Sequence, residues 1–101
     1  MEYIYLPDNN PPKVTISESF PTKTSNPVSV VRWTSDENAR FKCYVDDPKN
    51  QVPCGYGKTG EWRTPRVPDG EHTFFLTAVD TLGNKGPTLS RKWFVGKLVV
   101  W

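Results

Sequence analysis

Between two turn signals, Pro68-Asp69-Gly70 and Asp80-Thr81-Leu82-Gly83-Asn84, residues Glu71 to Asp80 follow a period of two. His72, Phe74, Leu76 and Ala78 fall on one face, and Thr73, Phe75, Thr77 and Val79 on the other. A pleated strand separates such residues automatically, because successive Cβ atoms point to opposite sides; a helix does not. The Asp-Gly pair supplies the backbone freedom of a tight turn. This segment therefore reads as the longest strand of the chain. Asp80 to Asn84 closes a hairpin into a last strand near Leu89 to Val95, on which Trp93 and Val95 share a face.

The same reasoning extends upstream. Lys13 to Ser17, with alternating β-branched residues after Pro11-Pro12, is a first strand. Pro21 to Pro27 is a turn-rich connection. Val28 to Thr34 is a second strand with Val31 and Trp33 on one face, and the polar run Ser35-Asp36-Glu37-Asn38 reads as a turn. Ala39 to Val45 is a third strand, with Phe41, Cys43 and Val45 pointing one way and Lys42 and Tyr44 the other. Asp46 to Asn50 is a hairpin turn, and the chain returns through Val52 to Cys54. Tyr56 to Gly60 reads as a loop, and Trp62 and Val67 flank another short extended piece. Ten prolines and seven glycines spread as punctuation oppose long helices. The expected fold is all-β: an antiparallel two-sheet sandwich of about seven strands. It should occupy residues 12–96, with 1–11 as an N-terminal extension or interdomain linker and 97–101 as a C-terminal extension.

Composition removes several functions. Thirteen basic and eleven acidic side chains leave a net charge of +2, with no like-charged block to track a phosphate backbone, so nucleic acid is not an expected partner. No apolar run is long enough to span a bilayer, so membrane insertion is not expected. Met1-Glu2-Tyr3 lacks the basic start and apolar stretch of a signal peptide, so a secreted protein would carry this chain as a mature fragment or as an excised piece with an added Met. Cys43 and Cys54, with ten residues between them, read as a disulfide. A metal site needs more ligands than one histidine and this spacing supply, so no cofactor is expected. Closing so short a loop contributes about 3 kcal/mol and places the chain in an oxidising compartment.

Phe41, Cys43, Asp46, Cys54, Asp69, Gly70, His72, Phe74, Ala78, Asp80, Gly83, Asn84, Trp93 and Val95 form an ordered set. It is Phe-x-Cys-x-x-Asp, a second Cys, Asp-Gly-x-His-x-Phe, Ala-x-Asp-x-x-Gly-Asn and Trp-x-Val. This set resembles the bacterial Ig-like and fibronectin-type-III-like modules of secreted and cell-surface proteins. The resemblance implies an extracellular spacer, adhesion or accessory role rather than an enzyme. Its partners would be neighbouring domains or another protein. The chain departs from the pattern in the longer insert between Cys54 and Val67 and in the apolar ends, Tyr3-Ile4-Tyr5-Leu6 and Leu98 to Trp101. Those ends read as short strands that pack on this domain or continue into neighbours.

Several residues admit two readings. The cysteines are a structural staple or a redox switch, with the staple favoured. His72, alternating with Phe74 and Leu76, is a structural histidine rather than a base. Asp46, Asp47, Asp80 and Asn84 are oxygen donors of the kind calcium takes, but each is placed to bond its own turn. Gly55 to Gly60 has no following helix to make it a phosphate loop. Tyr44, Tyr56 and Trp62 are flat aromatics near Lys58 and Arg63 that would stack on sugar rings, which makes a polysaccharide the alternative partner. Trp62 reads equally as a cap on the open end of the sandwich. Phe75 and Val79, on the outward face of the long strand, form an apolar contact surface.

Overall fold

The computed structural model describes residues 10–97. The terminal strands expected at Tyr3 to Leu6 and Leu98 to Trp101 lie outside the described residues. Among the described residues there are six strands: β1 (Val14–Ile16), β2 (Lys23–Thr24), β3 (Val30–Val45), β4 (Val52–Arg63), β5 (Gly70–Asp80) and β6 (Leu89–Val95). A 3₁₀ turn at Pro48–Asn50 joins β3 to β4, capped by the Asp47 carboxylate on the Lys49 N–H.

The strands form one sheet, not two. Its order is β1-β3-β5-β6-β2, and β4 takes the other edge of β3. β1 and β5 lie end to end along one side of β3, against residues 33–35 and 39–45 respectively. The expected sandwich is replaced by a single sheet curled until its two halves face each other. The physical reason is the length of β3 and β4, which run through both halves. Ser35 to Asn38, expected to be a turn, lies inside β3: pairing steps from Thr34↔Thr59 to Ala39↔Gly57, so four residues oppose Lys58 alone. Such a bulge sharpens the local bend without ending the strand. Asp36 is satisfied there, accepting the Lys13 N–H at 2.8 Å.

Three further readings are corrected. Tyr56 to Gly60 belongs to β4 and is not a loop. The 16-residue β3, not the 11-residue β5, is the longest strand. The connection from Pro21 to Pro27 holds β2, which pairs with β6 in parallel, so the sheet is not wholly antiparallel. By contrast, β5 and β6 occupy the expected segments, and the expected core face of β5 is buried.

The core is built from few large side chains. Trp33, Trp93, Phe41 and Phe74 are all essentially without exposure. Trp33 reaches across the curl to stack on Phe74 at 6.5 Å, and it meets Phe41, from the other half of its own strand, edge to face at 5.4 Å. Burying each such ring contributes about 1.5–3 kcal/mol or more, which is how so short a chain holds a curled sheet.

Candidate functional site

The disulfide forms as read, Cys43 to Cys54, with Cα atoms 5.8 Å apart. Pairing passes from Phe41↔Gly55 to Lys42↔Pro53, leaving Cys54 as the extra residue of a second bulge. Gly55, at φ 144°, supplies a backbone angle closed to other residues. The bond thus ties the start of β4 to a buried residue near the end of β3.

At the β3–β4 turn, Asp46 holds a left-handed backbone at φ 63°, which Asp tolerates better than most residues. Its Oδ1 accepts the Thr73 N–H at 2.8 Å and its Oδ2 faces His72 Nδ1 at 2.6 Å. The other ring nitrogen, Nε2, lies 2.6 Å from the Pro68 carbonyl oxygen. Both partners of the ring are acceptors, so only the imidazolium satisfies both by donating twice. Burial works against that charge, but the bonds to Asp46 and Pro68 and the nearby carboxylate outweigh it, and the His72 pKa is raised above 6.5. Asp80 shows the opposite balance. Burial would raise its pKa, yet the Asn84 amide and the Asn84 and Leu82 N–H groups hold it below the usual value. Asp80 is therefore committed to its own turn, whereas Asp46, expected to bond its own turn, reaches across to His72 and Thr73 on β5, and no cluster of three or more metal-ligating side chains forms among the described residues.

Tyr44, Tyr56 and Trp62 do not share a platform. Tyr44 stacks on its cross-strand neighbour Phe75, with ring centroids 4.6 Å apart and planes 19° apart. Phe75 is thereby half-buried, and so is Val79, which bridges to Lys85. The outward face of β5 is thus not a bare apolar strip. Tyr56 stands 60% exposed beside Arg40 on that same outward face. Trp62 pairs with the fully buried Val31 and so turns to the opposite, inner face, where its ring lies 5.8 Å from Phe74.

There Trp62 closes one mouth of the curled sheet. The mouth is an open cavity of about 880 Å³ between the Asp46–Val52 turn and the segment from Trp62 to Pro68. Trp62, Val45 and Val67 give it an apolar floor, and Lys49, Arg63 and Arg66 stand around it. Of the indole and the three cations, only Trp62 and Arg63 were marked in the sequence. Lys49, Asn50, Gln51 and Arg66 sit on two segments that meet only because the sheet curls, and no local pattern announces that.

No family model matches this chain, and no curated protein matches it in sequence. Among solved structures it is similar to fibronectin(III)-like modules of Clostridium thermocellum CbhA. The TM-score is 0.61 at 18% identity, over 83% of this chain and 96% of the other. The fold is fibronectin-III-like. A second similarity, to the PmoD soluble domain from Methylocystis sp. ATCC 49242 (Rockwell), has a TM-score of 0.49 at 14% identity, covering 84% of this chain and 90% of that one.

Proposed function

We propose that this chain is a non-catalytic interaction or spacer module of a larger extracellular or cell-surface protein. The observation that carries this reading is the Cys43–Cys54 bond, set in a bulge of a fibronectin-III-like fold. A disulfide persists where thiols are not kept reduced, and a small domain gains much of its stability from one. The titratable groups support the same reading. His72 and Asp80, whose pKa values depart from the ordinary, are both bound up in turn hydrogen bonds, as a structural role requires. The curled sheet then presents the mouth at Trp62 and its outward face to neighbouring domains or other proteins.

The test is the mass of the chain after alkylation without reductant, followed by its melting temperature with and without reductant. The reading expects no alkylation. It also expects a fall of more than about 10 °C on reduction, since about 3 kcal/mol is lost from a domain of this size. Two alkylated thiols, or a melting temperature indifferent to reductant, would overturn it.

A further inference from the structure

The mouth closed by Trp62 carries a charge pattern that the fold does not use. Arg32, on the outward face nearby, is neutralised in place by Glu61 at 2.8 Å. Lys49, Arg63 and Arg66 have no such partner: among the described residues none has a carboxylate within ion-pair distance. The one acidic side chain lining the mouth is Asp46, and its two oxygens are taken by Thr73 and His72. Three unneutralised cations therefore surround an apolar floor that includes part of an indole ring. Asn50 and Gln51 also line the cavity, and only their backbone N–H groups are engaged in hydrogen bonds, leaving both side-chain amides for another molecule. The volume, about 880 Å³, lies within the range of ligand sites.

We propose that this mouth binds an acidic polysaccharide. Trp62 offers a flat face to a sugar ring, Asn50 and Gln51 bond its hydroxyls, and Arg63, Arg66 and Lys49 take its carboxylates. The assignment rests on the extracellular module reading above. Arginine forks match carboxylates in paired hydrogen bonds, and such contacts are strongest beside low-dielectric surface like this floor. Charge complementarity selects an anionic occupant, and the exposed edge of β4 selects against an extended peptide. At the Val52 end of β4, which lines the mouth, strand addition by a peptide is opposed: the next residue, Pro53, lacks an N–H, Cys54 sits in a bulge, and Gly55 and Gly57 hold φ values of 144° and 124° that interrupt the edge.

The experiment is affinity electrophoresis of the full chain in gels containing polygalacturonate, paired with a tryptophan fluorescence titration. Retardation in polygalacturonate, a saturable emission change and weakening with added salt are expected. Arg63→Gln/Arg66→Gln, both exposed and so expected to leave the melting temperature unchanged, should weaken binding by about tenfold or more. Arg40→Gln, on the outward face, should not. Absence of binding to polygalacturonate overturns the site, as does equal binding by the Arg63/Arg66 double variant. Equal affinity for polyglutamate assigns the mouth to acidic protein instead and overturns the polysaccharide. A chain that keeps its disulfide and its reductant-sensitive melting temperature while ignoring polygalacturonate leaves the module reading standing without this site.

Discussion

At the scale of single residues, the His72–Asp46 pair makes stability depend on pH with a definite sign. The folded-state pKa of His72 is raised above 6.5, so folding takes up a proton that the unfolded chain holds less tightly. The resulting stabilisation is complete below about pH 6.5 and is lost as pH rises through the folded pKa. Melting temperature should therefore fall on going from pH 6 to pH 9, and Asp46→Asn should flatten that slope. The replacement asparagine tolerates the left-handed backbone, and its side-chain oxygen still accepts the Thr73 N–H, so the variant isolates the charge. Its cost at pH 6 should be about 1–2 kcal/mol, modest because the Asp46 side chain is half exposed. A pH profile for Asp46→Asn parallel to that of the native chain would show that His72 does not carry the charge.

At the scale of elements, β4 shows how a glycine-rich segment can be a strand. Gly60 has no unusual backbone angle; instead, a Cβ there would lie 2.1 Å from the Trp33 indole, which rests on the bare backbone. Gly60→Ala should displace Trp33 from the core and cost about 1–3 kcal/mol or more, read as a lowered urea midpoint with an altered near-ultraviolet signal. An unchanged midpoint would mean that the indole does not rest there. This also explains what a sequence reading can see. The hairpin of β5 and β6 was legible because its alternation and its Asp-Gly and Gly-Asn turns agree with one another. The continuity of β3 and β4 was not, because Ser35 to Asn38 and Gly55 to Gly60 carry turn chemistry that the bulges absorb within pairing. Trp62 was legible as an aromatic in need of a role. Of the cations around it only Arg63 was, since Lys49 approaches it only through tertiary structure and Arg66 lies past the end of β4, where no alternation fixes a face.

At the scale of the whole molecule, neither half of the curled sheet owns a core. Trp33 and Trp62 belong to the half that contains β1, Phe74 to the half that contains β5 and β6, and their rings meet across the curl. β3 and β4 pass through both halves, so losing either strand opens both. The halves should therefore unfold together in one transition, although the order of β1, β3, β5, β6 and β2 would allow an outer part of the sheet to peel away first. Urea unfolding followed by tryptophan fluorescence reports mainly the rings between the halves, whereas far-ultraviolet circular dichroism reports the strands throughout. The two probes should give one midpoint and one slope, about 1–3 kcal/mol per molar urea. A fluorescence midpoint clearly below the dichroism midpoint would mean that the curl opens while the sheet survives, and that the mouth at Trp62 can widen without unfolding. With coincident midpoints the mouth keeps its shape as long as the chain is folded. The backbone segments that carry its cations are then in place before a ligand arrives, positioned by the same aromatic contacts that stabilise the fold.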